Sequence, residues 1–148
     1  MNTAITPHTH KAAEPATAVL ILWGLLFGVL NAIAPLALWW LQPATALALT
    51  IALIAAIYIG FAVADGRPHV IAVETGVASA FFLLAAIAVT GSAWLLVAAF
   101  VGHGLKDLWQ ERHHFVATTR WWPPFCATVD FLAAAIIAIE IVAGVTFH

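Results

Sequence analysis

Residues 16–64 read ATAVLILWGLLFGVLNAIAPLALWWLQPATALALTIALIAAIYIGFAVA and contain no charged side chain. An apolar stretch of this length is enough for two membrane-spanning helices, because each helix needs about 20 residues. Gln42 and Pro43 mark the break between them, since proline fits the first turn of a helix and disrupts its interior. The stretch therefore predicts spanning helices over 17–41 and 44–64.

Apolar runs separated by short polar breaks continue along the rest of the chain. The DGRP sequence at 65–68 is typical of a polar turn, TGS at 90–92 of a tight connection, and the proline pair at 123–124 of a helix start. We therefore expect an all-α integral membrane bundle of five transmembrane helices, at about 17–41, 44–64, 69–89, 93–111 and 124–147. Residues 1–15 are predicted to form a mobile N-terminal arm, and 16–148 a single transmembrane helical domain.

The composition agrees with a membrane protein and excludes other classes. Hydrophobic residues make up 64% of the 148 residues and charged residues only 8%, whereas a soluble domain carries about 25% charged residues. The net charge is −2 and no basic run occurs, so no nucleic-acid partner is expected. The single cysteine excludes an internal disulfide framework. The partner that the composition predicts is the lipid bilayer.

The positions of the basic residues predict the orientation of the bundle. In a five-helix arrangement all of them fall on one side, either before the first helix, in a connection on that side or at the end of the fourth helix: Lys11, Arg67, Lys106, Arg112 and Arg120. The two connections on the opposite side carry no charge. Because basic residues are retained in the cytoplasm, we expect a cytoplasmic N-terminus and an external His148. The tryptophans fall near the two predicted membrane surfaces, where such side chains are enriched.

Five polar or reactive side chains fall at one predicted depth on the cytoplasmic side. By helical rise, Glu74 lies about one turn into the third helix, Asp107 about one turn from the end of the fourth, and His103 a turn deeper. Asp130 lies nearly two turns into the fifth helix, and Cys126 precedes it by one turn. His103 and Asp107 share a helix face by their i, i+4 spacing, as do Cys126 and Asp130. We expect the five to form one binding cluster.

A second group of residues is predicted to surround the cytoplasmic entrance to this cluster, where it could meet anionic lipid. The mouth comprises Asp65, Arg67, His69, Arg112, His113, His114, Trp121 and Trp122.

Three interpretations of the cluster remain open. The carboxylates and the imidazole could simply bond to one another and to arginine, as membrane polar groups often do. Alternatively, His103, Asp107, Glu74 and Asp130 could form a mixed nitrogen and oxygen site for zinc, iron or manganese. The third interpretation is a relay for protons or small ions, although Glu140 is the only deep acid beyond the cluster, and a hydrogen bond to Asn31 would explain it.

The stretches YIGFAVADGRPH at 58–69, HGLKD at 103–107 and RWWPPFCATVD at 120–130 resemble a family of short bacterial membrane proteins of unknown function, with HGxxD and WWPPFCxxxD in this order. The resemblance covers about residues 58–135. It implies that His103, Asp107, Trp122, Pro124, Cys126 and Asp130 form a unit. It implies a bacterial cytoplasmic (inner) membrane, but no activity, substrate or cofactor. The family often has tryptophan at position 106, which predicts that Lys106 is not essential.

The sequence thus predicts a cytoplasm-facing site that binds a cation or a polar head group. With a divalent metal bound, the protein could be an enzyme that acts on a lipidic substrate. Two alternatives are a non-catalytic membrane subunit or assembly factor, with a membrane-protein partner or a second copy, and a proton or small-ion transporter.

Overall fold

The computed structural model describes residues 17–117 and 120–147. Within these residues the chain forms five α-helices, one short 3-10 helix and no β-strand. The helices are α1 (Thr17–Ile33), α2 (Pro43–Asp65), α3 (Pro68–Thr90), α4 (Trp94–His113) and α5 (Trp122–Val142), and the 3-10 helix is Ala34–Ala37. The predicted all-α bundle is confirmed. The predicted mobile arm at 1–15 and residue 148 lie outside the described residues.

Four segments of the described chain are long and apolar enough to cross a membrane. They are Thr17–Ala37, Pro43–Asp65, Pro68–Thr90 and Trp122–Val142. The remaining helix, α4, is of similar length but carries four charged side chains in its C-terminal half, Lys106, Asp107, Glu111 and Arg112. Many large apolar side chains on the other helices are exposed, such as Leu22, Leu53 and Leu83. These surfaces fit contact with lipid.

Two helix ends differ from the predicted ones by more than two residues. The predicted helix over 17–41 ends its α-helical part at Ile33, and Ala34–Ala37 continues as a 3-10 helix. Pro35 explains the change, because its ring lacks an N–H and collides with the carbonyl of the preceding turn. The predicted helix over 124–147 instead ends at Val142. Gly144 lies just beyond that end, with a left-handed φ of 86° that no continuing α-helix can accommodate.

Close contact between α1 and α5 depends on glycine. A β-carbon on Gly24 would lie 2.8 Å from the β-carbon of Thr128, and one on Gly28 would lie 3.1 Å from the carbonyl oxygen of Val129. The paired positions increase together along both helices, so α1 and α5 run parallel. Small residues at such an interface allow membrane helices to approach closely. α1 is therefore packed against α5, a helix that is synthesised much later in the chain.

The amphipathic helix α4 buries one face, mainly against α5 and also against α3 and α2. It runs antiparallel to α5, with Leu96, Ala99 and Phe100 in the same apolar cluster as Ala133 and Ile137. Farther along, the β-position of Gly104 lies against the ring of Phe131. α3 packs against α2 on one side and α4 on the other, and α5 lies between α4 and α1. This order brings α2, α3 and α5 around the polar face of α4.

The polar residues lie between two apolar layers. The larger layer contains Leu47, Ile51, Leu96, Phe100 and Ile137, toward the end of the bundle where α2 and α4 begin. The smaller layer, formed by Ala62, Val70 and Val116, lies near the turn between α2 and α3. Polar groups between these layers are screened from water on both sides and must find partners within the protein.

We expect the α1–α5 contact to be intolerant of any added side chain. Replacing Gly24 and Gly28 together by alanine should lower the unfolding temperature in detergent, because both new methyl groups meet α5 at 3.2 Å or less. The matched control replaces Gly60 and Gly76, where a β-carbon would meet nothing within 4 Å. The control should be neutral or stabilising, since alanine favours a helix by about 1 kcal/mol over glycine. Equal effects of the two double variants would contradict the proposed packing.

Candidate functional site

His103 of α4 lies between two buried carboxylates. Its Nδ1 atom is 2.8 Å from Oδ2 of Asp130 on α5 and 3.4 Å from Oδ2 of Asp107 on its own helix. All three side chains are at most 1% exposed. The ring edge contacts Phe81 of α3, with 5.1 Å between ring centroids. The i, i+4 spacing and the antiparallel approach of α5 thus bring one imidazole and two acids together.

Tyr58 of α2 forms a hydrogen bond to this group. Its hydroxyl donates to Oδ1 of Asp107 at 2.5 Å, and the side chain is fully buried. The hydrogen bonds therefore form two pairs, Tyr58 with Asp107 and His103 with Asp130, and the 3.4 Å contact between His103 and Asp107 lies between them. Tyr58 was not predicted as a site residue. The sequence nonetheless contained a reason to select it, because a tyrosine within an apolar span needs a partner for its hydroxyl.

This site has fewer hydrogen-bond donors than hydrogen-bond acceptors. A neutral imidazole with hydrogen on Nδ1 supplies one N–H to the two carboxylates, and Tyr58 supplies one O–H. Within the described residues, Oδ2 of Asp107 and Nε2 of His103 are buried without a hydrogen-bond partner. No lysine or arginine among these residues pairs with Asp107 or Asp130. With a neutral imidazole, two ionised acids would carry a charge of −2 that the protein does not balance.

Glu74 lies apart from the His103 group and has partners of its own. Its Oε2 is 2.9 Å from Nζ of Lys106, and its Oε1 accepts a hydrogen bond of 2.5 Å from Gln110. The ammonium of Lys106 also lies 3.2 Å from the centre of the Tyr58 ring. Glu74 therefore does not join the other predicted metal ligands, which are His103, Asp107 and Asp130. The ammonium of Lys106 already neutralises its carboxylate.

Gln110 connects the buried layer to the loop that follows α4. Its Nε2 donates to Glu74, and its Oε1 accepts from the backbone N–H of Val116. The sequence analysis overlooked this residue. The spacing of His103, Asp107 and Gln110 is i, i+4, i+7, which places all three on one helix face. That polar stripe was visible in the sequence and would have identified Gln110.

The predicted mouth residues are spread over the ends of α2 to α5. Asp65 accepts two hydrogen bonds from Arg67, which in turn donates to the carbonyl of Phe115 at 2.6 Å. Asp65 also accepts from the N–H of Ala117. The bonds to Asp65 raise the pKa of the Arg67 guanidinium above its ordinary value. Together with Gln110, these bonds hold the segment 115–117 against the turn between α2 and α3.

The other mouth residues do not converge on His103. His113 bonds to the carbonyl of Trp109 on its own helix and stacks on that ring, and His69 contacts Phe115. Exposed side chains at this end of the bundle also include Arg112 and His114. Trp121 and Trp122 pack edge-to-face at the start of α5, with 5.3 Å between ring centroids.

Cys126 and Glu140 occupy different surroundings on α5. Cys126 is a buried free thiol one turn before Asp130, and it lines a cleft between α1, α2 and α5. The predicted bond between Asn31 and Glu140 is not formed. Nδ2 of Asn31 and Oε2 of Glu140 are both buried without a partner among the described residues.

His103, Asp107 and Asp130 have the geometry of a potential metal-ligand set. One ligand atom from each can be chosen so that all three lie within 4.8 Å of one another. Nitrogen and oxygen ligands bind zinc at about 2.0–2.2 Å, so small side-chain rotations would bring these atoms around one ion. Tyr58, bonded to the other oxygen of Asp107, would orient that carboxylate as outer partners do in metal sites.

Comparison of the chain with protein families, with curated proteins and with solved structures gives no match. The resemblance carried by HGxxD and WWPPFCxxxD stays a prediction.

The Glu74–Lys106 pair should behave as a unit in unfolding experiments. Replacing Glu74 by glutamine or Lys106 by methionine leaves the other charge buried, which costs up to about 3–5 kcal/mol. The double variant should recover most of this loss, because no unpaired charge remains. Thermal unfolding of the four proteins in detergent measures the coupling, and Arg112→Met at an exposed position is the control. Strictly additive losses would mean that the pair is not formed.

Proposed function

We propose that this protein is a multi-pass membrane protein that binds a divalent cation between His103, Asp107 and Asp130. The observation that carries the proposal is the pair of buried carboxylates facing one imidazole, with no lysine or arginine of the described chain bonded to either acid. An unbalanced buried charge costs several kcal/mol. A bound cation removes that cost and uses the unpaired oxygen of Asp107.

The ligand types favour zinc, iron or manganese over calcium. One imidazole and two carboxylates make a mixed nitrogen and oxygen set, whereas calcium takes six to eight oxygens. Three protein ligands would leave a coordination position for water or substrate, as in catalytic metal sites. A divalent ion in such a site polarises a bound water or a carbonyl group. This supports hydrolysis or oxidation of a membrane-soluble substrate as the class of reaction.

The proposal includes five membrane spans and a cytoplasmic N-terminus in a bacterial inner membrane. α4 carries charges, but it packs along α5, and its polar stripe faces partners on the other helices. Exposed Trp39, Trp40 and Trp94 lie at one end of the bundle, opposite Trp109. The basic side chains Arg67, Arg112 and Arg120 lie at the same end as Trp109. These positions support a cytoplasmic location for that end.

Proton transfer is the second candidate function, because Tyr58, Asp107, His103 and Asp130 form a contiguous chain of titratable side chains. The apolar layer around Phe100 and Ile137 lies between this chain and the opposite end of the bundle. Among the described residues only Glu140 offers an ionisable group on that side. The short extent of the chain favours the cation site over transmembrane proton transport.

Metal analysis of protein purified in detergent tests the cation site. We expect stoichiometric zinc, iron or manganese in the wild type and its loss in His103→Ala and Asp130→Asn. His113→Ala is the matched control, because His113 is an exposed histidine on the same helix and bonds only to the backbone of that helix. Sub-stoichiometric metal in the wild type after growth with each metal supplied would refute the proposal.

Removing the Tyr58 hydroxyl should weaken metal binding without abolishing it. Loss of an outer hydrogen bond to a ligand lowers metal affinity by about 10-fold to 100-fold, so Tyr58→Phe should release metal to a chelator at correspondingly lower concentration. Ser79→Ala is the control, since that hydroxyl bonds to a backbone carbonyl of α3 away from the site. Unchanged metal affinity in Tyr58→Phe would mean that Asp107 is not a ligand.

A further inference from the structure

A small pocket lies at the end of the bundle where α4 ends and α5 begins, and its volume is about 250 Å³. Its lining consists of four exposed residues at the rim and three buried residues at the floor. The rim comprises Glu111, His114, Ala117 and Arg120, and the floor Gln110, Val116 and Pro123. Charged side chains like those of the rim normally lie in water. Water therefore reaches this end of the bundle as far as the side chain of Gln110.

The floor of the pocket lies about one helical turn from the proposed cation site. α4 and α5 run antiparallel, with Gln110 level with Pro123 and His103 level with Asp130. Asp107 precedes Gln110 by three residues on the same face of α4, which places it about 4.5 Å deeper by helical rise. Its Oδ2 atom is buried without a partner among the described residues. One layer of side chains, which includes Gln110, thus separates the pocket from a ligand oxygen of the proposed site.

Two other approaches to the site are apolar. Leu96, Phe100 and Ile137 pack together in the half of the bundle beyond His103. The cleft between α1, α2 and α5 reaches Asp130, but aliphatic and aromatic side chains form most of its lining. A divalent cation loses its hydration at great cost in such surroundings. The pocket is therefore the approach along which a cation keeps contact with water up to the layer of Gln110.

Gln110 is held in this layer by two hydrogen bonds of its amide. Its Nε2 donates to Oε1 of Glu74 at 2.5 Å, and its Oε1 accepts from the backbone N–H of Val116 at 3.3 Å. The second bond is long and therefore weak. Because an amide carries no charge, no ion pair fixes this side chain, and rotation about its own bonds can move it out of the layer.

The segment 115–117 has anchors that do not depend on Gln110. Arg67 donates to the carbonyl oxygen of Phe115, and Asp65 accepts from the backbone N–H of Ala117. These bonds hold the segment beside the turn between α2 and α3. Rotation of Gln110 therefore leaves the rim of the pocket in place, and the moving part is a single side chain.

We propose that the side chain of Gln110 is the gate through which the cation enters and leaves the site at His103. In the closed position its amide bridges Glu74 and Val116. Rotation of the amide out of the layer opens the pocket onto Oδ2 of Asp107. The inference deepens the proposed function by naming how the site exchanges its ion with water, and it rests on that function.

The rate of zinc release to a chromogenic chelator tests the gate in the full chain, purified in detergent and loaded with zinc. Gln110→Ala should release zinc about tenfold faster than the wild type, because it lacks the bonds that hold the closed position. Zinc affinity should change less than the rate, since a gate affects entry and exit alike. The matched control is Gln42→Ala, at the other glutamine of the chain and the opposite end of the bundle. Equal release rates in Gln110→Ala and the wild type would overturn the proposal.

Blocking the pocket should have the opposite effect. Ala117→Cys places a thiol on the exposed rim, and a bulky maleimide attached there should slow zinc release. Arg112→Cys is the control, because position 112 is exposed at the same end of the bundle and does not line the pocket. Cys126 is buried, and the wild type treated with the reagent measures any reaction at that thiol. Release that the adduct at position 117 does not slow would contradict this route.

A third measurement needs no metal and so separates the gate from the cation site. Asp107→Cys combined with Cys126→Ala leaves a single thiol behind the gate, and its reaction with a cationic methanethiosulfonate is timed. Adding Gln110→Ala should accelerate that reaction about tenfold. Acceleration in a protein that never retains metal refutes the cation site and leaves Gln110 supported as the barrier to water. Stoichiometric metal in the wild type, with zinc release and thiol reaction both unchanged by Gln110→Ala, refutes the gate alone.

Discussion

The structure depends on satisfying the polar side of one helix inside an apolar bundle. His103, Asp107 and Gln110 form a stripe on α4, and hydrocarbon offers such groups no partner. Each surrounding helix supplies one: Tyr58 comes from α2, Glu74 from α3 and Asp130 from α5. These bonds fix both the rotation of α4 about its axis and its depth. The apolar layer at the start of α4 follows from that position, because the buried side chains there are Leu96, Ala99 and Phe100.

Much of the fold was predictable because charge-free runs and proline positions act locally. The start of α2 at Pro43 and of α3 at Pro68 agree with the predicted starts to within one residue. The early end of α1 at Ile33 was not predictable from the sequence, since Pro35 can either kink a helix or end it. Gly144 fixed the end of α5 through a left-handed backbone conformation, which the sequence permits but does not require.

The depth of the site residues in the bundle was predictable from the sequence. Which of their side chains pair with one another was less predictable. Helical rise placed Glu74, His103, Asp107 and Asp130 near one level, but depth does not determine which side chains face one another. Glu74 turned toward Lys106, a residue that the family resemblance had suggested was dispensable. Tyr58 was not predicted as a site residue, although its hydroxyl bonds to Asp107. Both pairings depend on how α2, α3 and α4 are rotated relative to each other, which is a tertiary property that no single helix pattern encodes.

α5 lies between the His103 group and the cleft that α1 and α2 also line, because its faces serve different neighbours. One face directs Asp130 to the imidazole on α4, and the adjacent face forms the floor of the lateral cleft. Asp130 belongs to both. The interior between α4 and α5 is tightly packed, since the β-position of Gly104 lies 3.1 Å from the ring of Phe131.

The parallel contact between α1 and α5 has a consequence for how the protein is made. α1 leaves the ribosome first, yet the helix whose surface its glycines fit is synthesised only after α2, α3 and α4. Until then α1 must remain inserted in the bilayer by its own hydrophobicity, which its mean hydropathy of 2.2 permits. Final assembly of the bundle therefore has to follow translation of α5, so the order of synthesis and the order of helix association differ.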